Sequence, residues 1–81
     1  MNNKNVNILV VDDTQNTLEI IQRSLSSHGY NVHLSSSAMN AISILQKQSI
    51  DLIITDYKMP KTTGLELIRY IKENFDNIGI I

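Results

Sequence analysis

Ile8-Leu9-Val10-Val11-Asp12-Asp13 decides the fold: four apolar residues in succession, three of them β-branched, close on two carboxylates. Apolar side chains at every position, rather than at alternate ones, predict a strand buried on both faces, as in a parallel sheet between helices. The pattern returns at Asp51-Leu52-Ile53-Ile54-Thr55-Asp56, again a short apolar run closed by an acid. Between the two runs the period changes from that of a strand to that of a helix. Leu18, Ile21 and Leu25 stand at i, i+3 and i+7, with Gln15, Glu19, Gln22, Arg23 and Ser26 on the other face. Asp12-Asp13-Thr14 offers N-cap oxygens to that helix, and Gly29 sits where a left-handed C-cap belongs.

The rhythm repeats outward. Residues 30–34 read as a second strand, and Ser35-Ser36-Ser37 as a polar break carrying a cap. Ala38, Ala41, Ile42 and Leu45 form the stripe of a second helix, which fades through Gln46-Lys47-Gln48-Ser49. After the third strand comes a loop over residues 57–63 with the single proline, Pro60. Thr63-Gly64-Leu65-Glu66 matches a capping box, and Leu67, Ile68, Ile71 and Phe75 make the third stripe. Ile78-Gly79-Ile80-Ile81 begins a fourth strand. Strand and helix thus alternate three times before a last strand. Such βαβ units cross over right-handedly and predict an α/β fold, a doubly wound parallel sheet of order 2-1-3-4.

Composition narrows the function classes. Seven Lys+Arg against eight Asp+Glu give a net charge of −1, which supplies no basic footprint for nucleic acid and no cationic face for anionic lipid. With no cysteine, disulfides, zinc–thiolate sites and thiol nucleophiles are excluded. The apolar run at residues 8–11 is far short of the ~20 residues that span a bilayer, and it meets Asp12 too soon for a signal peptide. The expectation is a cytoplasmic domain with no membrane contact. Thirteen Ile, eight Leu and four Val against four aromatics give an aliphatic core suited to a parallel sheet.

The acids carry the chemistry. Asp12 and Asp13 follow the first strand and Asp56 the third. In this order strands one and three are neighbours, and ligands bind outside the strand carboxyl ends at that switch point. Taken singly, each acid has a plainer reading: Asp12 or Asp13 caps the first helix, and Asp56 ends a strand at the surface. Taken together they repel. At an effective dielectric of about 20, two charges ~4 Å apart cost about 4 kcal/mol, less where water enters. A hard cation relieves this, and Mg²⁺ favours one or two carboxylates, several waters and a phosphate oxygen. Beside it, one carboxylate can act as nucleophile toward phosphorus. The trio predicts a phosphoryl site.

Taken together, residues 8–13, Asp51-Leu52-Ile53-Ile54-Thr55-Asp56-Tyr57-Lys58-Met59-Pro60 and Gly64-Leu65-Glu66-Leu67 resemble the receiver domain of two-component response regulators, from about Val6 to Ile81. The resemblance implies a flavodoxin-like fold and one receiver domain over residues 1–81. Receivers have five strands and five helices, so the chain is expected to be a C-terminally truncated one, lacking the last strand and the last two helices. It implies Asp56 as phosphoacceptor, charged by a histidine kinase or phosphotransfer protein. Asp13 and Asp56 would ligate Mg²⁺ directly, Asp12 mainly through a water, and Lys58 through its backbone carbonyl. Met59, Pro60 and Gly64 would shape the loop after the acceptor strand. The family's hydroxyl residue after strand four and lysine after strand five have no counterpart here. Thr55, Thr62, Thr63, Lys58 and Lys61 do not replace them, and Thr63 stands where many members have Asp.

Other signals carry less. His28 and His33 read as structural, Met39 and Met59 as packing residues, and Tyr57 as loop packing with a possible gating role over Asp56. The reading is therefore a signalling module, not an enzyme. The alternative is a truncated receiver acting as an interaction or dimerisation unit, self-associating through the apolar edge Ile78-Gly79-Ile80-Ile81. A metal-dependent phosphohydrolase is the third reading, weakened because its Asp-x-Asp pattern is absent: Asp12 and Asp13 are adjacent.

Overall fold

A strand that is apolar at every position needs cover on both sides, and here it has it. The computed structural model describes residues 6–55, 64–75 and 78–81. In chain order the elements are β1 (Asn7–Val11), α1 (Gln15–Ser27), β2 (Asn31–Ser35), α2 (Ala38–Lys47), β3 (Leu52–Thr55), α3 (Gly64–Asn74) and β4 (Gly79–Ile80). The strands form one sheet of order β2-β1-β3-β4, and all three pairings are parallel. This is the flavodoxin-like doubly wound arrangement expected from the alternating pattern.

The two faces of β1 divide its apolar run by parity. Leu9 and Val11, with Ile53 of β3, pack against Ala38, Ala41 and Leu45 of α2 and Leu67 and Ile71 of α3. Ile8 and Val10 pack on the opposite face with Leu18 of α1, flanked by partly buried Ile21, Leu25, Val32 and Leu34. Alanines at 38 and 41 let α2 approach the sheet closely, and neither is more than 2% exposed.

Helix ends follow local chemistry, with one departure. At the end of α1, Gly29 has φ 91°. Its N–H donates to Ser26 O at 3.0 Å, and the N–H of Tyr30 reaches back to Leu25 O at 3.3 Å. This is a Schellman motif, with Leu25 and Tyr30 sharing one apolar cluster. Gly29→Ala should cost about 1 kcal/mol, because a Cβ is strained in that left-handed region. The melting temperature should fall by about 4–8 °C, the sensitivity of a domain this small. Ser37 caps α2, accepting from the Asn40 N–H at 3.1 Å. Thr14 occupies the N-cap of α1 but makes no side-chain bond to the helix, so the expected cap is not formed there. The carboxylates before it turn back on Thr14 itself. The capping box at Thr63 lies outside the described residues.

Four further expectations are corrected. β2 runs one residue later than residues 30–34, because Tyr30 is used in closing α1 and Ser35 pairs with Val11. Met39 is not a packing residue: it lies off the stripe formed by Ala38, Ala41 and Leu45 and is 74% exposed. Phe75 lies just past α3, although its N–H still donates to Ile71 O at 2.8 Å. β4 is shorter than residues 78–81, yet its pairing continues. Ile81 donates to Ile53 O at 3.0 Å and accepts from the Thr55 N–H at 3.3 Å. Among the described residues, no helix is long and apolar enough to cross a membrane.

Candidate phosphoryl and cation site

β1 and β3 are hydrogen-bonded neighbours, and their last residues, Val11 and Thr55, are paired in register. Asp12 and Asp13 follow Val11 directly. Asp56, which follows Thr55, lies outside the described residues, as do Tyr57, Lys58, Met59 and Pro60. The described part of the site is therefore the acidic pair, its supports, and the end of β3 beside it.

Asp12 is half-buried and Asp13 exposed. The backbone holds the pair from the β2 side: the Asp12 N–H donates to Ser35 O at 3.0 Å. Val11 also pairs with Ser35 in the β1–β2 register, so the chain leaves β1 under restraint from both neighbouring strands. Downstream, Asp12 Oδ1 accepts from the Thr14 N–H at 2.8 Å, the short-range bond of an Asx turn. Asp13 Oδ1 accepts from Thr14 Oγ1 at a longer 3.4 Å. These turn bonds, not helix capping, are what the two acids do for the start of α1.

The chemistry of this donor set suits a hard cation. Among the described residues, each carboxylate is engaged through Oδ1. Two adjacent carboxylates of unequal exposure match an ion that keeps much of its water. Among the described residues no three His, Cys, Asp or Glu side chains come together as a complete metal cluster. The remaining members of the expected set, Asp56 and Lys58, are outside them.

The histidines stand apart from these acids. The His28 ring Nδ1 lies 2.9 Å from Ser24 O at the end of α1. His33 is in β2 opposite Leu9, with a buried Nε2 that has no hydrogen-bond partner. The open space between α3 and β4 is lined by Ile68, Ile71, Lys72, Phe75, Ile78 and Ile80. Among its lining residues is one cation, Lys72, and no carboxylate, so it offers no side-chain ligand to a metal ion. Sequence reasoning missed Ser35, whose carbonyl holds Asp12. The only hint was the run of three serines, which gives no sign that the first of them faces inward.

A family model described as "Response regulator receiver domain" matches residues 8–81. Over 76 residues the chain is 36% identical to the response regulator MprA of a Mycobacterium species, covering 94% of this chain and 33% of that protein. It is 40% identical over 78 residues to a putative two-component response regulator, ARR21, of Arabidopsis thaliana, covering 94% of this chain and 13% of that one. The chain thus spans about a third of the mycobacterial relative's length. Among solved structures, it superimposes with a TM-score of 0.88 and 31% identity on the response regulator TrrA of Thermotoga maritima, crystallised in complex with Mg²⁺-BeF. That match covers 93% of this chain and 65% of TrrA. A complex of TrrA with the histidine kinase ThkA matches with a TM-score of 0.87 over the same shares of the two chains.

Proposed function

The chain belongs to the response regulator receiver domain family of two-component signalling, and on that premise we propose that it accepts a phosphoryl group on Asp56, in a Mg²⁺-dependent step, from a histidine kinase or phosphotransfer protein. One observation carries the reading: Val11 and Thr55 are paired, and the next residues in the two strands are Asp12 and Asp56. Residues 1–81 act as one receiver unit in this reading.

An ionised Asp56 oxygen forms the new O–P bond while the donor's N–P bond breaks. The electron pair returns to the imidazole nitrogen, which takes up a proton from water. Asp12, Asp13, Asp56 and the Lys58 carbonyl would hold the cation, which would supply positive charge against the phosphoryl oxygens. The chain's own work is to fix the acids in line. The restraint of Asp12 by Ser35 O and of Thr55 by Ile81 O supports that role. The TrrA complexes, with Mg²⁺-BeF and with a histidine kinase, support the choice of cation and donor by analogy.

The thermal test follows from the repulsion. Millimolar Mg²⁺, and separately Asp56→Asn in the absence of metal, should each stabilise the fold by about 1 kcal/mol. For a domain this small, that is about 4–8 °C in melting temperature. Differential scanning calorimetry checks it. No rise in either case means the acids do not share a site.

A second reading concerns the edge of the sheet. Among the described residues β4 pairs only with β3, and strand alternation turns the Ile80 N–H and C=O outward. Ile81 is 72% exposed. This favours self-association of the 81-residue chain through β4. Sedimentation equilibrium should then show concentration-dependent dimers that Ile80→Pro weakens; a monomer at high concentration rejects it.

A further inference from the structure

We propose that Ser35 is a positioning residue for Asp12, coupling the start of α2 to the cation site; this rests on the phosphoryl-site reading above. Ser35 is 3% exposed and is the sole buried polar residue among the described residues. It occupies the last position of β2, opposite Val11. Its hydroxyl donates to Ser37 O at 2.6 Å and accepts from the Ser37 N–H at 3.3 Å, closing the turn at the end of the strand. Its own carbonyl accepts from the Asp12 N–H at 3.0 Å.

The three serines divide the work. Ser37 Oγ caps α2 through the Asn40 N–H, and Ser37 O receives the Ala41 N–H at 3.0 Å. Ser36 is exposed and has neither task. Ser35 joins the two ends: one side of it grips the residue that starts α2, the other grips the first acid of the pair. Because the hydroxyl is buried, water cannot replace it when it is removed. The turn then loses the restraint that aims the Ser35 carbonyl at Asp12. An apolar residue would fill the same space and keep the carbonyl, but would release the Ser37 end.

The test compares the wild-type chain with Ser35→Ala and Ser35→Thr. Mg²⁺ affinity is read by calorimetry, and single-residue amide exchange by nuclear magnetic resonance. Ile21→Val, on the opposite face of the sheet, serves as a variant destabilised away from Asp12. Ser35→Ala should weaken Mg²⁺ binding about ten-fold, the low end for loss of a support behind a metal ligand. Asp12 amide exchange should speed up without metal, Ser35→Thr should restore both, and Ile21→Val should leave the Mg²⁺ affinity at its wild-type value. By reciprocity, saturating Mg²⁺ should slow exchange of the Ser37 amide in wild-type protein, a readout that needs no variant.

Unchanged Asp12 exchange and unchanged Mg²⁺ affinity in Ser35→Ala overturn the inference alone, as does an equal weakening in Ile21→Val. So does a Ser37 amide indifferent to Mg²⁺ in a wild-type chain that binds it. A wild-type chain that binds no Mg²⁺ removes the phosphoryl-site reading and this inference together.

Discussion

Ile53→Ala should remove a large part of the stability of the fold. Ile53 is fully buried at the centre of β3, paired with Leu9 on one side and Ile80 on the other. It belongs to the cluster that α2 and α3 cover. Truncating a buried isoleucine costs about 2–5 kcal/mol, from lost transfer free energy and the cavity left behind. A domain of this size has only about 4–12 kcal/mol to lose. Both neighbouring strands are hydrogen-bonded to β3, so the sheet cannot collapse inward to fill the gap. Urea denaturation followed by circular dichroism should show a midpoint lowered by at least about a sixth of its value, or no folded baseline. Ile53→Val should cost only about 1 kcal/mol. Ile20→Ala, at a position 66% exposed on α1, should shift the midpoint little. An Ile53→Ala chain as stable as wild type would mean that the two-sided core is not what holds the sheet.

That core was the most legible feature of the sequence. An unbroken run such as Ile8-Leu9-Val10-Val11 has one economical explanation, a strand covered on both faces, and the cover found there is α1 on one side and α2 with α3 on the other. The stripes at Leu18, Ala41 and Leu45 were readable because a period of 3.6 is a local property. Gly29 was readable because its conformation, at φ 91°, is one that other residues resist.

What the sequence did not show depends on side-chain direction and on partners distant in the chain. Whether Thr14 caps α1 is decided by where the Asp12 and Asp13 side chains turn, and they turn to Thr14 rather than into the helix. The tether from Ser35 O to Asp12 N–H joins residues 23 positions apart, and no local pattern encodes it. Met39 is apolar but off the stripe, so composition suggested burial where helical phase gives exposure. For the site, adjacency of β1 and β3 was derivable from topology and is found, down to the pairing of Val11 with Thr55. The roles of Asp56 and Lys58 rest on the resemblance and on that pairing, since both residues lie outside the described structure.

The second large effect is chemical and bears on the central claim that Asp12, Asp13 and Asp56 form one cation-dependent phosphoryl site. Acetyl phosphate is a small donor that needs no kinase, so labelling by it reads the chain's own competence. Its acyl O–P bond breaks as the Asp56 oxygen forms a new one, and acetate leaves. The acids together with Mg²⁺ should suffice for slow labelling, because positioning and charge neutralisation are most of the catalysis in phosphoryl transfer. Removing the cation leaves three like charges facing an anionic donor, and removing Asp13 takes away a ligand that holds it. Chelation of Mg²⁺, or Asp13→Asn, should therefore slow labelling by about 10²-fold or more, the scale of losing a principal source of charge stabilisation. The decisive measurement is intact-mass spectrometry of the chain incubated with acetyl phosphate and Mg²⁺. The expected result is a single phosphate adduct that disappears with a chelator and is absent in Asp56→Asn. An adduct that persists in Asp56→Asn, or no adduct in the wild-type chain, would contradict it.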